Sequence, residues 1–318
     1  MRPDRRSFLT LVARASAATV CLGGGYALLH ERPVRRGGEG ARLPDYRQGL
    51  DSPASAMAVS GAADPGSAVR RVVEAMGGMG RFVRPGERVL IKPNVGFDRP
   101  PSFGATTSPA VVLAVVRLCK EAGAREVMVA DNPINNPLRC FAVSQIGTAV
   151  EQGGGTVMLP AASHMGPIAV AGEAIQTWEG LAGLLERADR LIGIPAVKDH
   201  NLAGLSATMK NWYGFLAGGR NSFHQKLDVV IADLAGAFVP TLVVVDGTRA
   251  LVRNGPTGGR ASDVVATEQI AAGTDQVALD AWAAELMGRR ASDVPSIMEA
   301  ERRGVGTSLW RTLNPVTT

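Results

Sequence analysis

Two hydrophobic periods alternate along the chain from Ser67 onward. Residues 68–76 carry apolar side chains at helical spacing, Arg88-Val-Leu-Ile-Lys92 is an apolar run of strand length, and residues 109–122 again show a helical apolar face, ending at Gly123. Glu126-Val-Met-Val-Ala130 reads as the next strand, residues 143–152 as a helix and residues 156–159 as a further strand. After an irregular stretch come a strand at Arg190-Leu-Ile-Gly-Ile194, helical patterns over residues 205–215 and 223–234, and a strand over residues 241–245. Residues 263–273 read as an edge strand pair and residues 275–287 as a closing helix. Short apolar strands joined by helices predict an α/β fold of three layers, a mostly parallel sheet with helices on both faces, and ligands bound beyond the carboxyl ends of the strands. Gly77-Gly78-Met79-Gly80 follows a helix instead of leading from a strand into one, so it reads as a helix terminus and not as a phosphate loop.

Upstream of this pattern, residues 31–66 are rich in Arg, Gly, Pro, Ser and Ala without a sustained period and read as a flexible linker, which sets the α/β domain at residues 67–318. Residues 1–30 have a different character. Arg5-Arg6-Ser7-Phe8-Leu9 precedes a weakly apolar stretch from Ala15 to Leu29 that is shorter than a settled bilayer span, and the combination resembles a twin-arginine export signal or anchor. The implied location is the periplasm or the outer face of the cell membrane, reached in the folded state through the twin-arginine export machinery.

The net charge of +5 would ordinarily point to a polyanion. Seven arginines against Asp4 and Glu31 place that excess within residues 1–36, so the body is neutral and no nucleic-acid partner is expected. Beyond the signal only Cys119 and Cys140 remain, with no Cys-x-x-Cys pair, so the chain's own cysteines build neither an iron–sulfur cluster nor a structural zinc site. The cofactor is otherwise unassigned.

Against 29 arginines the chain has five lysines. Lysine, unlike arginine, can lose its proton when buried and can form a covalent bond to a ligand, so the positions that keep it are informative. Lys92, Lys198 and Lys210 lie at strand ends or in the segment from Ile194 to Gly214, which also carries His200 and Asn211 and is followed by Arg220 and His224. A helix starting near Leu205 would aim its free amides at an anion shared with these lysines. Carboxylates add Asp131, Asp246 and Asp280, each at a strand end or early in a helix; capping is the stronger reading for Asp131, and Asp246 and Asp280 are the better ligand candidates.

Leu90-Ile-Lys-Pro-Asn94, Thr106-Thr-Ser-Pro109, Pro195 to Gly214, Val245-Asp-Gly247, Gly255-Pro-Thr-Gly-Gly259 and Gly273 to Asp280, in that order, resemble the family of unknown function numbered 362. Many members of that family look like iron–sulfur proteins through an appended cysteine cluster that this chain lacks. The stretch from His200 onward is also similar to a segment of nickel-pincer lactate racemases. That resemblance implies His200 as acid/base, Lys210 as the covalent anchor of a metal cofactor and His224 as metal ligand, with Thr107 to Pro109 matching the turn near the start of that family. It departs in lacking an arginine before the Pro turn and a second acid/base histidine after Asp131.

The sequence thus predicts an enzyme that binds a small anionic substrate or cofactor through Lys92, Asn94, Thr107, Lys198, Asn211, Asp246 and Asp280, with His200, Lys210 and His224 as the chemical groups. Two other readings stay open. One is a non-catalytic periplasmic anion- or cofactor-binding accessory protein serving a separate redox partner, and the other a racemase- or epimerase-like enzyme with a Lys-anchored metal cofactor.

Overall fold

The computed structural model describes residues 40–51, 55–258 and 260–318, and the side chains of Asn221 and His224 lie outside that description. The export signal read at residues 1–30 also falls outside it. Among the described residues no helix is long and apolar enough to cross a membrane.

Strands β1 (Ala41–Arg42) and β2 (Met57–Gly61) precede α1 (Pro65–Ala75), whose start is set by Asp64 accepting from the Ser67 amide and by Pro65 in the first turn. Then come β3 (Arg88–Pro93), α2 (Pro109–Glu121), β4 (Glu126–Ala130), α3 (Pro137–Val143), α4 (Ile146–Gln152) and β5 (Thr156–Met158). The middle of the chain forms β6 (Gly166–Ala169), β7 (Thr177–Gly180), α5 (Ala182–Arg187), β8 (Arg190–Ile194), and a hairpin of β9 (Ala196–His200) with β10 (Gly204–Ser206). The single turn α6 (Thr208–Asn211) leads on to α7 (Leu227–Ala237), β11 (Leu242–Leu251), β12 (Val264–Gly273), α8 (Gln276–Leu286), α9 (Pro295–Arg302) and β13 (Val316–Thr317).

The main sheet has ten strands in the order β13-β2-β12-β11-β8-β3-β4-β5, with β9 beside β11 and β10 paired to β9. From β11 through β8, β3 and β4 to β5 every pairing is parallel, and β12 enters antiparallel to both β11 and β2. Side chains alternate across it as strand geometry requires. Val89, Ile91, Val127, Val129, Ile192 and Val244 join one buried cluster with α1, α2 and α4. Leu90, Met128, Leu191, Val243 and Val245 join the other, with α5, α7, α8 and α9. The fold is therefore the three-layer α/β arrangement, and each parallel strand is apolar on both faces because helices cover both.

Chain order locates the crevice. The chain lays down β3, β4 and β5 in one direction across the sheet and then returns to place β8 on the opposite side of β3. Connections diverge on the two sides of β3, which places a crevice at the carboxyl end of that strand.

Several expectations are corrected. Much of the stretch read as linker is folded: β2 is a strand of the main sheet, and Tyr46 is buried, its hydroxyl donating to the Leu185 carbonyl at 2.9 Å. The helix expected over residues 143–152 begins earlier and is broken in two at Gln145, whose φ of 62° is left-handed. The edge pair expected over residues 263–273 is one strand, β12, paired with β11. The largest correction concerns residues 205–215. Leu205 sits in β10 opposite Asp199, and helical geometry starts only at Thr208, lasting one α turn before a 3-10 turn over Trp212–Phe215. Helix α7 likewise starts at Leu227 and not near Phe223, after the 3-10 stretch Arg220–Lys226.

Candidate functional site

At the carboxyl ends of β3 and β4 lies a cavity of about 320 Å³ lined by, among others, Lys92, Asn94, Asp131, Lys198, His200, Lys210, Asn211 and Arg220. Each element delivers its side chain for a local reason. Lys92 is the penultimate residue of β3 and shares a face with Leu90 two residues before it, and Asp131 directly follows β4. Lys198 and His200 are two apart in β9, so both face the cavity, while Asp199 between them points away to pair with Arg289 at 2.6 Å and to accept from the Gly255 amide. Ser206 also lines the cavity, opposite Lys198 in the hairpin register.

The Lys92 ammonium is fully buried, with two hydrogen bonds and one ion pair. It donates to the Pro93 carbonyl at 2.7 Å and to Asn211 Oδ1 at 3.1 Å, and lies 2.9 Å from Asp131 Oδ1. That last contact is an ion pair off the hydrogen-bond direction, because Asp131 Oδ1 makes no hydrogen bond, whereas Oδ2 accepts from the Val95 amide at 2.7 Å. Asn211 in turn donates through Nδ2 to the Lys92 carbonyl at 3.0 Å. Burial pushes the Lys92 ammonium below its ordinary pKa, partly offset by Asp131. A Cβ at Gly214 would stand 2.0 Å from Asp131 Oδ1 and 2.6 Å from Lys92 Nζ, so this ion pair needs glycine there.

Lys198 is also tied down, donating to Asn94 Oδ1 and to the Ala105 carbonyl, both at 2.8 Å. Burial first, and then the nearby Lys210 charge, push its ammonium down to about 7. Lys210 differs from both. It is half-buried, its Nζ lies 4.7 Å from the Tyr213 ring centre, and among the described residues it has no hydrogen-bond acceptor. Burial, and then the charges of Arg220 and Lys92, push it down to about 8. Arg220 holds the cavity wall together by donating to the carbonyls of Asn132 and Tyr213, both at 3.1 Å.

His200 accepts at Nδ1 from the amides of Leu202 at 3.3 Å and Ala203 at 3.2 Å. This assignment follows from the pattern of backbone donors, and it leaves the hydrogen of the neutral ring on Nε2.

The remaining expected residues are placed differently. Thr107 is buried behind the cavity, where its hydroxyl donates to the Ile194 carbonyl at 2.7 Å and accepts from the Asn94 amide at 2.8 Å, positioning Asn94. Asp246 and Asp280 are not among the cavity-lining residues. Asp246 accepts from the Ser108 amide at the start of α2 and from the Thr248 amide and hydroxyl. Asp280 accepts from the amides of Thr208 at 2.5 Å and Met209 at 3.2 Å. The amides expected to greet a ligand at a helix start are thus already taken by a carboxylate. The side chain of His224 lies outside the described residues, so its expected role as metal ligand is not placed. Among the described residues no group of three His, Cys, Asp or Glu side chains could hold a metal ion. Lys210 therefore offers the amine that a covalently held cofactor would need, while the described side chains offer no coordination sphere beside it.

Sequence reasoning missed Asp131 and Arg220 as members of the site. Asp131 had the strand-end position that marks the others, but its neighbours Asn132-Pro133 favoured capping. Arg220 carried no signal of its own, because arginine is the generic cation of this chain.

The chain belongs to the family described as a domain of unknown function (DUF362), whose pattern matches residues 89–285. A curated protein similar to it is Thylakoid-associated protein sll1697 of Synechocystis sp., 28% identical over 247 residues, covering 75% of each chain. Among solved structures, the lactate racemase apoprotein of Thermoanaerobacterium thermosaccharolyticum is similar with a TM-score of 0.43 and 15% identity, over 75% of this chain and 57% of that one. This chain thus spans little more than half of that structure's length.

Proposed function

We propose that this member of the family binds a small anion, a carboxylate or phosphate compound, in the cavity at the ends of β3 and β4. One observation carries the reading. Lys92, Lys198, Lys210 and Arg220 line a single cavity that holds one carboxylate, Asp131, and that carboxylate is already engaged by Lys92. Surplus buried positive charge is costly unless something neutralises it, and the depressed Lys198 and Lys210 ammonium groups express that cost. A bound anion would relieve it. Lys210 is the primary contact, since among the described residues it alone of the three lysines has no hydrogen-bond acceptor, and His200 lines the same cavity. On the strength of Arg5-Arg6-Ser7-Phe8-Leu9, we place this binding outside the cytoplasm after folded export.

Titration calorimetry with oxalate, which stays a dianion across the range, tests the reading. Affinity should be highest below about pH 7 and fall as pH rises past 8, where Lys198 and then Lys210 lose their protons. Absence of heat and of thermal stabilisation by oxalate at every pH would overturn it.

A further inference from the structure

Polarity in the cavity runs against the gradient that water imposes on a folded chain. Its floor carries the ammonium groups of Lys92 and Lys198, 0% and 1% exposed, whereas its mouth carries Ile134 and Leu202, 64% and 56% exposed. The walls add the half-buried rings of Phe97, 5.3 Å from Lys198 Nζ, and Tyr213, 4.7 Å from Lys210 Nζ. Exposed apolar side chains scattered singly are ordinary on a protein surface. Among the described residues, however, four large apolar side chains are more than half exposed, and two of the four line this one cavity. Neither stands on slack backbone. The Ile134 amide donates to the Gly96 carbonyl at 2.9 Å, the Pro133 carbonyl accepts from Arg220 Nη2 at 3.4 Å, and the Leu202 amide donates to His200 Nδ1 at 3.3 Å. The fold thus holds both aliphatic side chains out in water, above buried charge.

We infer that the cavity takes an amphiphilic anion, a carboxylate or phosphate group carrying an apolar tail, with the charged end innermost and the tail against Ile134 and Leu202. The inference rests on the anion-binding reading above and names the ligand class for that site. At the inner end, Lys210 has no hydrogen-bond acceptor among the described residues, and protonated Lys198 keeps one hydrogen beyond those given to Asn94 and Ala105. At the outer end, a tail laid over Ile134 and Leu202 removes apolar surface of ligand and protein from water together, which multiplies affinity by up to about four for each methylene covered. A wholly polar anion leaves both aliphatic side chains wet, and an uncharged apolar molecule leaves the cations unanswered. At about 320 Å³ the cavity lies at the small end of the usual range for ligand sites, so it suits a compact head with a short or medium tail crossing the rim.

The test is calorimetry on the full chain at pH 6, where Lys198 and Lys210 are largely protonated, with acetate, butyrate, hexanoate and octanoate below their micelle concentrations. Affinity should rise about two- to fourfold per methylene along this series. Hexanoate and hexyl phosphate should both bind, the tighter of them identifying the head group, and hexan-1-ol should bind at least about tenfold more weakly than either. Replacing both rim residues, Ile134→Ser with Leu202→Ser, should flatten the series with acetate changed least, and urea unfolding should show the fold kept because both side chains are mostly exposed. A flat series in the unaltered chain beside measurable oxalate binding would overturn the tail and leave anion binding standing. A steep series that the double replacement leaves untouched would place the tail elsewhere and overturn the inference as well. A dimer split by that replacement, together with a flat series, would give the rim to a second copy of the chain and overturn it too. Hexan-1-ol binding as tightly as hexanoate would instead overturn the anionic head, and with it the anion-binding reading.

Discussion

Asp233, Asp246 and Asp280 are buried carboxylates met by backbone amides, three of them in the case of Asp233, which also pairs with Arg303. Lys92, Lys198 and Lys210 are cations gathered around one cavity, and among the described residues Lys210 has no hydrogen-bond acceptor. Both groups take charge out of water, and burial pushes Asp246 and Asp280 up as it pushes the lysines down. The carboxylates each meet donors that tie separate elements together, whereas Lys210 has no acceptor among the described residues and faces the cavity. By this criterion Asp246 and Asp280, which the sequence pattern marks as ligand candidates, pin the elements that carry the site.

The comparison can be broken most severely at Gly214. Gly214→Ala drives a Cβ into Asp131 and Lys92, and separating that ion pair while both groups stay buried should lower stability by about 3–5 kcal/mol, read from urea unfolding. Next is Asp280→Ala, which strands the Thr208 and Met209 amides and should cost about 2–3 kcal/mol by the same measurement, with oxalate affinity falling only because α6 loosens. Lys210→Met should invert this profile. Oxalate affinity should drop about tenfold or more, equivalent to about 1.4 kcal/mol, while stability below pH 8 stays level or rises because a strained cation has gone.

A pH dependence sets the two regions against each other. Burial raises Asp280 to about 7, so its folded state holds a proton that the unfolded chain releases above its usual value of 3.8; stability is lost as pH climbs between those limits. Lys198 and Lys210, lowered to about 7 and about 8, are neutral in the folded state where the unfolded lysine is still charged; stability is regained as pH rises from there toward 10.5. These groups together predict a stability minimum near pH 7 to 8 without ligand. Asp280→Asn should flatten its acid side and Lys210→Met its alkaline side, in denaturation curves taken across pH.

Much of the fold was legible from period alone. Strands β3, β4 and β8 match their expected runs to within a residue, because each is a compact apolar segment bounded by polar or turn residues. The starts of α2 and α8 were equally readable from Ser108-Pro109 and Asp275. The hairpin β9–β10 was not. Lys198-Asp-His200 has too few apolar residues to announce a strand, and its backbone is held by pairing with β10 and with β11, whose Leu251 stands opposite Lys198. Within the site, the scarcity of lysine singled out Lys92, Lys198 and Lys210, and all three do line one cavity. Nothing local separated the hydrogen-bonded pair, Lys92 and Lys198, from Lys210.

What the sequence by itself determined was the layering and the inventory: which segments are apolar on two faces, where helices are capped, and which few positions keep a lysine in an arginine-rich chain. Tertiary structure decided the pairing. Asn211 reaches Lys92 across 119 residues and Asp280 reaches the Thr208 amide across 72, and each such partner depends on strand order and register. Period is a property of consecutive residues, whereas neutralising a buried charge requires an atom within about 3 Å that can come from anywhere in the chain. Only the assembled sheet shows which charges find that atom and which one is left to face the cavity.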